Sequence, residues 1–162
     1  MSAATRNKRL RISMRRMTEA DLPAISILEQ RCFSDPWPLT AFREVLEGDQ
    51  WTGLVAEAEG VIVGYSCHFD AAGEAHLANI AVHPEHRRKS VAKQILKRIL
   101  DLSRNNGCYQ ILLEVRPSNV SAIRFYENEG FVVLYRRPNY YRSPVEEAVV
   151  MCRQLDDGTD DE

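Results

Sequence analysis

The segment YQILLEV, Tyr109 to Val115, carries the strongest strand signal in the chain, and a helix runs straight into it. That helix starts near Ser90, places Val91, Ile95, Ile99 and Leu102 on one face, and stops at Gly107. Lys93, Lys97, Arg98, Asp101 and Arg104 lie outside the stripe, where a solvated face belongs. Ahead of it HLANIAV, His76 to Val82, reads as another strand, ended by Pro84. Strands on both sides of helices call for a layered, mixed α/β fold.

The rest of the chain fills in that sheet. RISMRRM alternates Ile12 and Met14 against charged neighbours and reads as a first strand; Thr18 and Asp21 then open a helix with Leu22, Ile25, Leu28 and Cys32 on one stripe. FSDPWPL, Phe33 to Leu39, is a turn with two prolines, followed by a short helix that stops at Gly48. TGLVAEAEGVIVGYSCHF reads as two strands around Glu59-Gly60. Ser118 or Asn119 caps a helix ending before Gly130, and FVVLYRRPNYY and EEAVVMCRQL close as two more strands. The expected fold is α/β, a mixed α+β sandwich of about seven strands, with hairpins at each end and helices between.

At 162 residues this is one domain, expected over 11–155 between a basic tail (1–10) and an acidic tail (156–162), both expected to be disordered. The net charge of −2 argues against a nucleic-acid or membrane-surface partner. No run approaches the ~18 apolar residues of a membrane span, and the N terminus lacks the apolar core of a secretion signal. Cys32, Cys67, Cys108 and Cys152 form no CxxC pair, which fits free thiols in a reducing cytoplasm. His83 and His86 have the spacing of a ligand pair, but Pro84 in the turn and the lack of a third ligand make them surface histidines, so no metal is expected.

Three units could carry chemistry. At the first, Arg87, Arg88 and Lys89 precede a helix whose first-turn N–H groups and dipole attract anions; a solvated basic loop would look the same. At the second, Ile111, Leu113 and Val115 take one face of the strand, and Leu112, Glu114 and Arg116 the other. A carboxylate near the end of an apolar strand is either a working base or an ion-pair partner, here of Arg116. At the third, Asn119, Ile123 and Tyr126 share one side of a helix, with Asn119 and Tyr126 ~10 Å apart along it. Tyr126 is then a phenol presented to a ligand, or a core aromatic between Phe125 and the sheet.

Taken together, NIAVHPEHRRKSVAKQIL and LEVRPSNVSAIRFYENEGF resemble the GNAT superfamily of acetyl-CoA-dependent N-acetyltransferases, and within it the RimI-type enzymes that acetylate the N-terminal amine of a ribosomal protein. The resemblance runs from about Ile12 to Leu155 and takes in DPW (Asp35–Trp37), RRPNYY and EEAVVM. It implies a mostly antiparallel sheet with one parallel central pair, flanked by about four helices. By this resemblance, backbone groups of Ile80, Ala81 and Val82 contact the acetyl group and pantetheine arm of acetyl-CoA. N–H groups along Arg88, Lys89, Ser90, Val91, Ala92 and Lys93 hold its pyrophosphate. Asn119 bonds the arm, Glu114 is the general base and Tyr126 the general acid. Trp37, Tyr140 and Tyr141 flank the mouth where a peptide enters.

The family's loop pattern, Arg/Gln-x-x-Gly-x-Gly/Ala, falls on Arg87, Ser90 and Ala92, so a serine stands at the first glycine. With an ordinary helical φ at Ser90 the loop would still point its amides inward, and the hydroxyl would be free to reach a phosphate oxygen. The resemblance implies direct attack of a neutral amine on the thioester by a monomeric enzyme, with no covalent enzyme intermediate. An acetyltransferase of a small amine or of a lysine side chain, and a non-catalytic acyl-CoA-binding module, are the alternative readings.

Overall fold

The computed structural model describes residues 10–155, so the tail expected at 156–162, and all but Leu10 of that expected at 1–10, lie outside the described residues. In chain order the elements are β1 (Ser13–Arg16), a 3-10 turn (Glu19–Asp21), α1 (Leu22–Cys32), α2 (Leu39–Glu47), β2 (Trp51–Ala58), β3 (Val61–Ala71), β4 (Glu74–Val82), a second 3-10 turn (Pro84–His86), α3 (Val91–Asn105), β5 (Gln110–Val115), α4 (Val120–Asn128), β6 (Val132–Arg142) and β7 (Val145–Gln154). The strands form one seven-stranded sheet in the order β1-β2-β3-β4-β5-β7-β6. β4 and β5 pair in parallel and every other neighbouring pair is antiparallel, as the crossover through α3 requires.

Each face of the sheet carries its own core. On one, α3 and α4 pack Val91, Ile95, Leu96, Ile99 and Tyr126 against Leu54, Leu77, Ile111 and Leu113. On the other, α1 and α2 bring Leu22, Ile25, Leu28, Phe42 and Val45 onto Val55, Tyr65, Cys67 and Ala81. The buried stripe of α3 is wider than the sequence indicates: Leu96, Leu100 and Ser103 are buried, whereas Leu102 is half-buried. At about 100° per residue Leu102 falls close to Val91 at the edge of the buried arc, whereas Ser103 falls beyond Ile99 near its middle. Gly64 lets α3 approach closely, since a Cβ there would meet the Ala81 carbonyl at 2.9 Å and Ile95 Cδ1 at 3.0 Å.

One irregularity positions the site. In the β3–β4 ladder Cys67 pairs with Asn79 and His68 with Leu77, leaving Ala78 as an extra residue. Before it Ala75 and Leu77 point into the α3–α4 core; after it Ile80 and Val82 do, while Ala81 turns to the α1–α2 side.

Candidate active site

β4 and β5 separate at this bulge. Their parallel ladder ends at Leu77 opposite Leu113, although β4 continues to Val82 and β5 to Val115. Beyond that point β4 is held by β3, with Ile80 on Ser66, Ala81 on Tyr65 and Val82 on Gly64. β5 is held by β7, with Glu114 on Val150 and Val115 on Val149. Two strands with edges turned towards each other and no shared ladder form a slot for a chain that carries its own amides.

At the mouth of that slot the chain turns through His83, whose N–H donates to the Val63 carbonyl (2.7 Å), and enters α3. Ser90 does not take an ordinary helical φ: φ is +56° and ψ 19°, with Arg88 also left-handed at φ +60°. The chain reverses sharply here to enter the helix, which is why glycine suits the position. The Ser90 hydroxyl donates to the Lys89 carbonyl (2.8 Å), so in this state it serves its own loop. Val91 itself is buried in the core and offers the slot only its backbone. Arg88, Lys89 and Lys93 are exposed around the first turn of α3. Arg87 folds back instead, its Nε 3.4 Å from the Val82 carbonyl and its Nη2 3.7 Å from Cys32 Sγ.

Glu114 lies on β5 just past the last residue paired with β4, and its side chain is 12% exposed. Its Oε2 is 2.7 Å from His76 Nε2, and its Oε1 is 4.0 Å from Arg137 Nη1. The pairing with Arg116 weighed from sequence does not form. Arg116 instead meets Glu146 (3.3 Å), donates to the Pro144 carbonyl (2.8 Å), and lies 4.2 Å from the ring centre of Tyr141. Sharing a strand face leaves two side chains free to find better partners on a neighbouring strand, and β7 supplies one for Arg116.

Asn119 caps α4, its Oδ1 accepting from Ala122 N–H and the Ser121 hydroxyl, both at 3.3 Å. Tyr126 is buried, its ring 5.3 Å from Phe125 and 5.4 Å from Phe131. Burial pushes its phenol well above the usual range, so it stays protonated at neutral pH. Tyr140 and Tyr141 meet edge to face at 4.9 Å, with Arg137 over the Tyr140 ring at 5.1 Å. Burial first, and then the charge of Glu114, raise the Tyr140 hydroxyl. Trp37 packs on Phe42 (5.5 Å) and Trp51 (6.5 Å), and from there Phe69 leads ring by ring to His76. Trp37 is thus linked to His76 through Trp51 and Phe69, and Tyr140 to Glu114 through Arg137.

Comparison with known proteins identifies what this architecture is. The profile of the Acetyltransferase (GNAT) family matches residues 22–131. The chain belongs to the GNAT family. It is 32% identical over 138 residues to the [ribosomal protein bS18]-alanine N-acetyltransferase of Salmonella typhimurium, an alignment that spans 84% of this chain and 93% of that one. The crystal structure of the Escherichia coli ribosomal-protein-S18-alanine N-acetyltransferase superposes with a TM-score of 0.83 at 28% identity, covering 94% of this chain and 99% of that one. Ard1 from Thermoplasma volcanium gives a TM-score of 0.84 at 26% identity, over 90% of this chain and 99% of that one.

This GNAT chain is therefore an N-acetyltransferase, with acetyl-CoA as the acetyl donor that its family uses. Its residues fit that donor: the slot between β4 and β5 suits an amide-bearing arm, and the basic, left-handed loop suits a pyrophosphate. Among the described residues no group of three or more His, Cys, Asp or Glu side chains could hold a metal, and no helix is long and apolar enough to cross a membrane. Two site residues escaped the sequence reading. His76 is one of three polar residues on β4, with Glu74 and Asn79, and its partner lies on another strand. Glu29, 1% exposed in α1, gives no signal beyond being a charged residue in an amphipathic helix.

Proposed function

We propose that this GNAT enzyme acetylates the α-amine of a protein N terminus, the natural substrate being a ribosomal protein that begins with alanine, and that it acts as a cytoplasmic monomer without nucleic acid or membrane. The reading is supported by the names of its relatives and by one geometric observation: a carboxylate, Glu114, bonded to His76 where β4 and β5 part, with the Tyr140–Tyr141 pair beside it. Bound acetyl-CoA supplies an activated thioester. Backbone groups of Ile80, Ala81 and Val82 line the slot for its arm, the Asn119 side-chain amide reaches the arm from the helix it caps, and the amides from Arg88 to Lys93 face its pyrophosphate. Arg87 braces the loop against the strand end.

Glu114 takes the proton of the incoming amine, through a water. The α-amine titrates near ~8, so only a modest push is needed at neutral pH. His76 donates to the same carboxylate and fixes its direction. Tyr126 holds its proton until a thiolate leaves, then gives it to the sulfur. Trp37, Tyr140 and Tyr141 confine the peptide end.

Mass spectrometry tests the reading directly. Peptides beginning with alanine or serine, a polyamine, and an N-blocked peptide with an internal lysine are incubated with acetyl-CoA and enzyme. Acetyl on the α-amine of the alanine peptide is the expected product. Transfer only to the polyamine or the lysine would reassign the acceptor, and no transfer to any amine would favour a binding module.

A further inference from the structure

Glu29 has no part in the chemistry above, yet it is the most deeply buried carboxylate among the described residues. Its Oε1 accepts from the Trp37 backbone N–H (3.2 Å), both oxygens accept from Asn79 Nδ2 (3.0 Å each), and Oε2 accepts a very short bond from the Tyr65 hydroxyl. All these donors are neutral. A carboxylate buried without a cation is a costly choice if the only need is to fill space, where an apolar side chain would serve; an amide in its place has a single acceptor oxygen and cannot accept from donors on both sides.

The three donors come from three distinct parts of the enzyme. Asn79 immediately follows the extra residue at which β4 leaves β5, and directly precedes Ile80, Ala81 and Val82. Trp37 belongs to the DPW loop between α1 and α2. Tyr65, fully buried on β3, pairs with Ala81 and anchors the group to the centre of the sheet. One carboxylate therefore joins the strand that borders the acyl-CoA slot to the loop that borders the peptide mouth.

We infer that Glu29 is a positioning residue that couples the two substrate sites, so that filling the β4–β5 slot sets the Trp37 loop. The coupling rests on the reading of that slot as the acyl-CoA site, but not on the identity of the acetyl acceptor. Being a free energy between sites, it acts equally in both directions.

The chain contains two tryptophans, Trp37 and Trp51, so Trp51→Phe leaves Trp37 as the sole indole reporter. Coenzyme A is titrated into this parent, with calorimetry measuring affinity and emission reporting on the loop. The expected result is a change in Trp37 emission that saturates with binding. Adding Glu29→Gln should keep the Kd for coenzyme A within about threefold, while the emission change falls below half. Asn79→Ala breaks the same link from the other end, should behave alike, and decides the matter if Glu29→Gln does not fold. An undiminished Trp37 response in a variant that still binds coenzyme A overturns the proposal, as does a silent Trp37 in the saturated parent. Absence of coenzyme A binding by the parent would end the slot reading and the coupling with it. Failure to acetylate any peptide bears on the acceptor alone.

Discussion

His76 Nε2 lies 2.7 Å from Glu114 Oε2 across the two parallel strands, two residues beyond the point where His76 sits opposite Leu112. A carboxylate only accepts, so Nε2 carries the proton. The other ring nitrogen, Nδ1, is buried without a partner. His76 thus acts as a donor that aims the carboxylate. A hydrogen bond to a charged group is worth ~1.5–3 kcal/mol, so His76→Ala should lower kcat about tenfold or more with little change in acetyl-CoA affinity. His76→Gln keeps an N–H donor and should recover much of that loss. Steady-state kinetics of the pair checks this, and equal activity of both variants with the parent would remove His76 from the site.

Glu114→Gln keeps the size and the bond to His76 but cannot take a proton. General-base assistance contributes ~10²–10⁴-fold, and kcat should fall within that range. Calorimetric affinity for coenzyme A should stay within about twofold, because no part of the slot is altered. Turnover equal to the parent's would assign the base elsewhere.

The left-handed φ of Ser90 costs about 1 kcal/mol that glycine does not incur. Ser90→Gly should therefore raise the melting temperature by ~2–4 °C and change coenzyme A affinity by no more than about tenfold, ~1.4 kcal/mol. Ser90→Val, with a branched Cβ at the same φ, should lower both. A gain in affinity far beyond tenfold with glycine would mean that serine distorts the loop itself.

His68 is fully buried, and neither ring nitrogen has a hydrogen-bond partner. Burial lowers its pKa; the charge of Asp70 opposes that shift and Arg16 adds to it. With the folded value below the unfolded ~6.5, the unfolded chain takes up a proton that the native state refuses. Stability is thus complete above about pH 6.5 and declines as pH falls from there towards the folded pKa, by up to ~1.4 kcal/mol per pH unit. Asp21, held low chiefly by its bonds to Arg15, acts only in a more acid window, below ~3.9. Urea melts of His68→Leu and the parent between pH 5 and 7.5 separate the two. An unchanged slope in the variant would show that His68 is not the group responsible.

The periodic features were legible without a structure. The α1 stripe of Leu22, Ile25 and Leu28 is buried as read, and β5 alternates Ile111, Leu113 and Val115 inward against Leu112 and Glu114. The parallel pair was implied by the resemblance to the GNAT family rather than by a local pattern. What could not be read depends on partners far apart in sequence. His76 finds Glu114 38 positions on, and Glu29 finds Asn79 50 positions on. Neither pairing leaves a local pattern, because register and bulge placement decide it. Arg116 shows the reverse error: adjacency on one strand face suggested a partner, and the cross-strand carboxylate of Glu146 took its place.

The extra residue at Ala78 has a consequence for how β4 tolerates change. It resets the in-out phase of the strand, so odd-numbered side chains enter the α3–α4 core before it and even-numbered ones after it. Deleting Ala78 would restore plain alternation and leave every later side chain on its present face: Asn79 would follow Leu77 on the α1–α2 side, Ile80 and Val82 would stay inward, and Ala81 would stay with α1 and α2. What the deletion removes is the kink, and with it the place where β4 leaves β5. An uninterrupted β4 would be free to extend its ladder with β5 past Leu77 and close the slot. One residue of strand length therefore keeps an opening in the middle of the sheet, at a position whose loss would spare the core.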